Sequence, residues 1–260
     1  MTDTTDLVKA ARAAEQAAYA AGTHLQASRS RLAETLLTGQ APADVAMEIH
    51  AEGEALLREV IGKHFPAHGF AGDEPGDRRP VWHLEAIDGL ANYLRGYPQY
   101  AVSIALVERG EPQIGVVYDP CRNEFFGAIR GRGAVLNGAP IRCAKRATAL
   151  ESLAATVFPP PTSPRMPQYM AELGRVLRGF GGVRRSGSMA LELAYLAAGR
   201  IDAFWQHDLD AGSAAAGTAL LRESGALVNA RDAKPLAQST ALLACTPPLF
   251  EPFLSLLVEP

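Results

Sequence analysis

Three consecutive segments rich in β-branched and aromatic residues constrain the fold of this chain most strongly. They are YAVSIALVE, QIGVVYD and FFGAI, and only the short polar segments RGEP and PCRNE separate them. Strand-forming runs joined by connections of a few polar residues typically pair in order as an antiparallel meander. The sequence therefore predicts an antiparallel sheet from about Tyr100 to Ile129.

Helix-forming residues dominate the chain before this sheet. Ala, Leu, Arg, Glu and Gln are frequent from about Thr5 to Leu37, which predicts one long helix with a bend near Gly22. Asp44 is a suitable N-cap for a second helix, whose apolar stripe ends near Phe65. The segments HGFAGDE and VWHLEAI then predict two strands ahead of the meander.

The pattern changes after the turn LNGAP. A helix around 188–198, the strand IDAFW, a helix around 212–224, strands near ALVNA and ALLAC and a last helix from about Pro248 follow one another. A helix pair, an antiparallel sheet and then alternating elements predict an α/β (α+β) fold built as a layered sandwich. We divide it into an N-terminal half, 1–140, and a C-terminal α/β half, 141–260, that form one compact unit.

Composition excludes several classes of partner. The chain has 25 basic and 28 acidic residues in mixed order, so no basic face indicates nucleic acid or anionic lipid. The acidic N-terminus MTDTTD lacks a signal-peptide pattern, and no apolar stretch approaches the roughly 18 residues of a membrane span. Cys121, Cys143 and Cys245 lie outside any CxxC spacing, which argues against a disulfide framework and a zinc site. We therefore expect a cytoplasmic protein.

Acidic residues at a strand end form the candidate site. Glu85 and Asp88 close the strand VWHLEAI, and Asp73 in the earlier segment GDE adds a third carboxylate if the two strands are neighbours. Clustered carboxylates repel one another without a cation, and Mg²⁺ prefers such oxygen ligands. The backbone N–H groups of Gly89 and Leu90 would face the same turn and could hold phosphate. This arrangement indicates phosphoryl chemistry; the alternative is that the acids only face solvent.

The central region of the chain resembles the inositol monophosphatase family. WHLEAIDGLANYLRGYPQYAVSIAL matches the family signature WxxDPxDGTxN followed by PxxAVSIA, and GFAGDE, RRSGSMALELAYLAAGRIDAF and AAGTALLRESGAL match the flanking blocks. The resemblance extends from about Asp44 onward and is closest to bacterial members of the SuhB type. It implies an αβαβα sandwich, usually a homodimer, that hydrolyses phosphomonoesters with Mg²⁺ and is inhibited by Li⁺.

The resemblance also implies a set of metal ligands. Carried over position by position, they are Asp73, Glu85, Asp88, the backbone carbonyl of Ile87, and Ser213. Asp73 stands where the family has a glutamate, and Glu85 stands where the family has an aspartate, so both positions keep a carboxylate. Ser213 instead replaces an aspartate with a neutral hydroxyl. Metal affinity depends on the number of anionic oxygens, so this change weakens the second metal position.

Three further positions depart from the family pattern. His50 replaces an aspartate that helps hold another ion; an imidazole suits Mn²⁺ or Zn²⁺ better than Mg²⁺, and the alternative is an ordinary surface histidine. Leu90 replaces a threonine that orients the attacking water. Gln206 replaces an acid that contacts substrate hydroxyls in some members. Asn92 and the SGS turn that ends at Ser188 are retained.

Three functional hypotheses follow from this pattern. The first is a slow phosphomonoesterase for a small inositol or sugar phosphate, in which the three acids hold one Mg²⁺ or Mn²⁺ and Ser188, Gln206 and Asp210 face the substrate. The second is a metal-free pseudophosphatase that binds a ligand or a protein partner. The third uses His50 and Asp210 as new metal ligands, and Asp210 could replace Ser213 only if the helix start were shifted by nearly a turn.

Overall fold

The computed structural model describes residues 4–38, 41–73, 80–210, 212–232 and 234–258. Its α-helices are α1 (Thr4–Ala27), α2 (Arg29–Thr38), α3 (Pro42–His64), α4 (Leu90–Leu94), α5 (Met166–Gly179), α6 (Met189–Ala197), α7 (Ala215–Ser224) and α8 (Phe250–Leu257). Its strands are β1 (Gly69–Phe70), β2 (Val81–Asp88), β3 (Ala101–Glu108), β4 (Glu111–Asp119), β5 (Glu124–Ile129), β6 (Gly133–Leu136), β7 (Ala139–Ile141), β8 (Leu153–Thr156), β9 (Gly182–Arg184), β10 (Ala203–His207), β11 (Leu227–Ala230) and β12 (Ala241–Cys245). None of the helices in these ranges is long and apolar enough to cross a membrane.

The first sheet contains the predicted meander. Its strand order is β1-β2-β3-β4-β5-β6-β7, and every neighbouring pair is antiparallel except β1 with β2, which is parallel. The meander β3-β4-β5 is therefore confirmed. The sheet extends beyond it by two strands on each side.

The second sheet is mixed and has the order β11-β12-β10-β8-β9. Strand β10 pairs antiparallel with β12 and parallel with β8. All five residues of β10 and of β12 are buried, as expected for central strands covered on both faces. The sequence analysis predicted β10, β11 and β12 but not β8, α5 and β9.

Five layers result from the way the apolar faces are covered. Helices α1 and α3 pack on one face of the first sheet. Helices α6 and α7 lie between the two sheets and share one apolar core with both. Helices α5 and α8 cover the outer face of the second sheet. The predicted αβαβα sandwich is confirmed, whereas the division at residue 140 stays a prediction.

Two local predictions for the N-terminal helices were wrong. The long helix is interrupted at Ser28, not at Gly22, because Arg31 there bonds to the Ser28 carbonyl and a new helix begins. Gly22 instead permits close packing, since a Cβ at this position would lie 2.4 Å from the Tyr118 ring. Helix α3 begins at Pro42 with Ala41 as its N-cap residue, and Asp44 lies in the first turn.

Candidate active site

The end of β2 is irregular where the two predicted acids lie. In a regular strand, a three-residue offset would direct Glu85 and Asp88 to opposite faces of the sheet. The pairing with β3 shifts register between them, and the consecutive residues Ala86 and Ile87 are both buried. This bulge allows both carboxylates to approach one region. The side chain of Ile87 packs in the core beneath α1 and α3, and the role of its carbonyl stays a prediction.

Asp88 connects the first sheet to the start of α6. Its Oδ2 accepts a hydrogen bond from Ser188 Oγ and another, of 2.9 Å, from the backbone N–H of Ala190. Ser188 Oγ in turn accepts from the Leu191 N–H and caps the helix. Burial raises the pKa of Asp88, and the hydrogen bonds from Ser188 and the helix amides offset part of that increase.

The turn after Asp88 depends on Gly89. Its φ is 90°, and a Cβ there would lie 2.9 Å from the Gln99 carbonyl, so other residues are disfavoured. The Asn92 side chain donates to the carbonyls of Gln99 and Ser186, at 2.7 and 2.8 Å, and joins the turn to the SGS segment. The side chain of Leu90 packs against the α1/α3 core, so only its backbone can serve the predicted phosphate site.

Glu85 lines a small cavity, which we call the Glu85 cavity. Its volume is about 120 Å³, and its described lining includes Glu85, Ser103, Asp210 and Ser213. Burial, followed by repulsion from Asp88 and other nearby acids, raises the pKa of Glu85 to about 7. The cavity therefore brings several acidic side chains close together in a partly desolvated region.

Asp210 belongs to this cavity, beside the position where the resemblance implied a ligand. Its Oδ2 accepts hydrogen bonds from the backbone N–H and the hydroxyl of Ser213, at 3.0 and 3.2 Å. Residues 212–214 form a turn, and α7 begins at Ala215, three residues after the predicted start. The Asp210 carboxylate therefore lies next to Ser213, although Asp210 is three residues before the position at which the family resemblance implies the ligand.

Asp73 is held by a side chain that the sequence analysis did not consider. Arg58 of α3 lies 3.2 Å from Asp73 Oδ1, donates to the Ala71 carbonyl at 3.2 Å, and stacks 4.8 Å from the centre of the Phe70 ring. The other Asp73 oxygen accepts the Phe70 N–H at 3.0 Å. Asp73 is not among the described residues that line the Glu85 cavity, and its neighbour Glu74 lies outside the described residues.

His50 points towards the acids and is not an ordinary surface histidine. Its side chain is only 18% exposed, with Nε2 3.4 Å from Glu54 Oε1 and Nδ1 3.8 Å from Glu85 Oε1. The Nδ1 atom is buried and has no hydrogen-bond partner among the described residues. His50 and Asp210 are thus both near Glu85, and their role as metal ligands stays a prediction.

Gln206 lies on the inner side of β10. Alternation along the strand places it with Phe204, which belongs to the core between the sheets, and opposite Trp205, which faces α5. Its Oε1 is buried without a hydrogen-bond partner in the described part of the chain. This oxygen could accept a hydrogen bond from a substrate hydroxyl, and the contact stays a prediction.

His83 is a site residue that the sequence analysis missed. It lines the Glu85 cavity, and it lies two residues before Glu85 on β2, so the two side chains share a face of the strand. Burial lowers the pKa of His83, and the charge of Asp210 opposes this decrease. The alternation of VWHLEAI contained the signal needed to find it.

The acids are near one another but do not form a complete metal site. In the parts of the chain that the structure describes, no three His, Cys, Asp or Glu side chains are spaced to hold a metal ion. Burial is the largest cause of the raised pKa of Glu85, and repulsion from Asp88, Glu54 and Asp210 adds to it; a positive charge nearby would offset only this repulsion. A cation would fit this cavity electrostatically, with Asp73 contributing only after release from Arg58.

Five alternating layers with a carboxylate-lined cavity beside a sheet strand define a class of layered α/β proteins with an acidic cavity. A profile of the inositol monophosphatase family matches residues 6–256, and the chain belongs to this family.

Curated relatives and solved structures show the same relationship. The chain is 38% identical over 216 residues to the Nus factor SuhB of Xylella fastidiosa, covering 82% of this chain and 78% of that protein. It is 35% identical to the inositol-1-monophosphatase of Rhizobium meliloti, with 81% of each chain covered. The structure of an inositol monophosphatase from Anabaena superposes with a TM-score of 0.82 at 30% identity, covering 97% of this chain and 96% of that one.

Proposed function

We propose that this protein is a metal-dependent phosphomonoesterase with a metal site weaker than that of the family. Its substrate would be a small phosphorylated molecule, and inositol and sugar phosphates are the class that the family resemblance implies. Family membership and the relatives named inositol-1-monophosphatase support this proposal. A cytoplasmic homodimer is the accompanying expectation from the resemblance.

The crowding of acids around Glu85 is the observation that carries the proposal. Burial raises its pKa to about 7, and repulsion from Asp88, Glu54 and Asp210 adds to the increase. A divalent cation held by Glu85, Asp88 and the carbonyl of Ile87 would relieve this repulsion. When bound, such an ion supplies Lewis-acid stabilisation and lowers the pKa of a coordinated water.

The chain's own residues would fix the geometry of hydrolysis. Asp88 is immobilised by Ser188 and by an amide of α6, and the turn at Gly89 presents backbone N–H groups to the phosphate. In the reaction, the water oxygen bonds to phosphorus, the ester P–O bond breaks, and the proton released by the water ends on the departing alcohol. Positioning of this kind commonly contributes several kcal/mol to the rate.

Three features would weaken the site relative to the family. Ser213 carries no charge, although Asp210 lies beside it. His50 replaces an acid and contributes no anionic oxygen. Arg58 occupies one oxygen of Asp73. Because each feature reduces the negative charge available to a cation, metal affinity should be low.

The first experiment is phosphate release from a panel of inositol, sugar, nucleoside and alkyl phosphates, with Mg²⁺ and separately with Mn²⁺. Glu85→Gln is the preferred control, because it removes the charge while keeping the shape. Asp88→Asn is a second control, although it also disturbs the contact with α6. We expect both variants, shown by circular dichroism to be folded at the assay temperature, to lose this phosphate release. Equal release from wild type and both variants would contradict the assignment.

A binding role without catalysis is the second candidate. The loss of an acid at Ser213 and at His50, relative to the family pattern, favours it, and several relatives carry the name Nus factor SuhB. No phosphate release in either metal, from folded protein, would favour this candidate. Retention of Mn²⁺ or Zn²⁺ through dialysis would instead indicate the third arrangement, with His50 and Asp210 as ligands.

A further inference from the structure

Glu192 of α6 is a buried acid to which neither the family resemblance nor the proposed function assigns a role. It is 1% exposed and lies four residues, about one helical turn, after the N-cap residue Ser188. Its Oε1 accepts a hydrogen bond of 2.8 Å from the backbone N–H of Ser186. Glu192 thus connects α6 to the chain segment that precedes the N-cap of the same helix.

The segment 186–188 is held from two sides. The Ser186 N–H bonds to Glu192, and the Ser186 carbonyl accepts a hydrogen bond of 2.8 Å from the Asn92 side chain of α4. Gly187 has a φ of 87°, and a Cβ there would lie 2.9 Å from Asn92 Nδ2, so the segment packs directly against this side chain. Both backbone polar groups of Ser186 are therefore fixed, one by α6 and the other by the helix that follows the turn at the end of β2.

The position of Ser188 decides how Asp88 is held. The Ser188 hydroxyl caps α6 and donates to Asp88 Oδ2, which also accepts a hydrogen bond of 2.9 Å from a backbone amide of α6. Hydrogen bonds weaken steeply as their angles depart from the optimum, so a shift of Ser188 would loosen Asp88. One residue separates Ser188 from Ser186, and the bond from Ser186 to Glu192 therefore limits such a shift.

This bond requires an acceptor oxygen at residue 192 but not a negative charge. Burial raises the pKa of Glu192 and repulsion from Asp88 adds to the increase, whereas hydrogen bonds from Ser186 and the charge of Arg184 offset part of it. A glutamine would present the same acceptor to the Ser186 N–H without the repulsion. We therefore expect glutamine to replace Glu192, and an apolar side chain of similar size not to replace it.

We propose that Glu192 is a positioning residue that acts through Ser188 on Asp88. Its Oε1 holds the Ser186 N–H, which fixes the segment 186–188 between α6 and α4, and the Ser188 hydroxyl then meets the Asp88 carboxylate in one orientation. Residues behind the ligands of metal sites orient those ligands in this way. The effect of Glu192 on metal binding rests on the proposed function, whereas its coupling to Ser188 does not.

Calorimetric titration with Mn²⁺ tests this role, with all variants shown to be folded by circular dichroism. Glu192→Leu removes the acceptor and should lower the affinity at least about tenfold, whereas Glu192→Gln should stay within about threefold of wild type. Glu172→Gln is the control, because it removes a buried acid from the outer helix layer and should also stay within about threefold. In a Ser188→Ala background, Glu192→Leu should change the affinity less than about twofold, since its route to Asp88 is already lost.

Several outcomes would overturn the positioning role. They are an unchanged affinity in Glu192→Leu, equal losses in Glu192→Leu and Glu192→Gln, and a full additional loss in the Ser188→Ala background. Glu192→Met also lacks the acceptor oxygen and replaces Glu192→Leu if that variant does not fold. If wild type binds no Mn²⁺, the metal site of the proposed function fails, and metal-free urea unfolding decides the positioning role alone. The midpoint shifts of Glu192→Leu and Ser188→Ala should then be less than additive in the double variant, and additive shifts would refute the coupling.

Discussion

At the scale of single residues, the contact between Arg58 and Asp73 has the clearest consequence for metal binding. The guanidinium supplies at Asp73 the positive charge that a divalent ion would supply, and it also holds the Ala71 carbonyl and the Phe70 ring. Metal binding that uses Asp73 must first break this pair. If Asp73 is a metal ligand as proposed, Arg58 competes with the cation for this carboxylate, and removal of Arg58 should increase the metal affinity.

We expect Arg58→Gln to raise the affinity for Mn²⁺ by about threefold to tenfold, because an exposed ion pair contributes roughly 0.2–1 kcal/mol and its loss also frees a carboxylate oxygen. Calorimetric titration measures this without reference to turnover. Arg31→Gln is the matched control, since Arg31 of α2 forms an exposed ion pair with Glu52 of α3 and does not contact Asp73. A lower affinity in Arg58→Gln would mean that Arg58 positions Asp73 for the metal and does not compete with it.

At the scale of elements, Ser188 joins β2 to α6, because its hydroxyl both caps the helix and donates to Asp88. We expect Ser188→Ala to lower the free energy of unfolding by about 1–2 kcal/mol at neutral pH, from loss of the cap and of the Asp88 contact. That contact stabilises the ionised carboxylate, so its loss raises the pKa of Asp88 further. The part of the difference due to charge should vanish as the pH falls below this pKa.

Urea unfolding of wild type and Ser188→Ala at several pH values checks this expectation. Ser255→Ala, on the exposed face of α8, is the control for loss of a hydroxyl. A difference that does not change with pH would show that only the cap matters and that the bond to Asp88 contributes nothing.

The sequence predicts those elements whose signals are local. The meander could be predicted because the alternation, the connections and the residue types of 100–129 all agree. Strand β12 is a continuous apolar run, and β10 begins with the apolar residues 203–205. Helix α5 was missed because the proline-rich segment before it, 158–167, obscures its start. The site shows the same limit. Glu85 and Asp88 were found from spacing, and the alternation of VWHLEAI also places His83 on the same face as Glu85. Arg58 matters through contacts with residues outside its own helix, which no local pattern contains.

At the scale of the whole molecule, a buried charge cluster fixes the outer helix layer to the second sheet. Glu172 of α5 is fully buried and accepts from Arg231 at 2.9 Å, and its other oxygen lies 2.8 Å from Nε2 of the buried His207 at the end of β10. Arg231 also donates to the Leu257 carbonyl of α8 at 3.0 Å. One carboxylate therefore connects α5, β10, the chain after β11 and α8.

Loss of this carboxylate should destabilise the protein more than any surface charge. Burial opposes ionisation of Glu172, but the bonds from His207 and Arg231 outweigh it, so its pKa lies below the ordinary 4.5. An acid with a lowered folded-state pKa stabilises the fold above its unfolded-state pKa, and this contribution is lost as the pH falls through the folded-state value. Glu172→Gln leaves Arg231 without its charge partner, and we expect a loss of about 3–5 kcal/mol at pH 7. The loss should shrink below pH 4.5 and disappear once the pH has fallen through the lowered folded-state pKa of Glu172, where wild type protonates the same group.

Urea unfolding across this pH range measures both effects, with Glu111→Gln as the control, because Glu111 pairs with Arg222 but is 49% exposed. The control should lose less than about 1 kcal/mol. Equal losses in the two variants would mean that the free-energy cost of desolvating the buried cluster cancels the stabilisation from its charge pairing. The outer layer would then be held by its apolar contacts alone, chiefly Trp205 and Phe253.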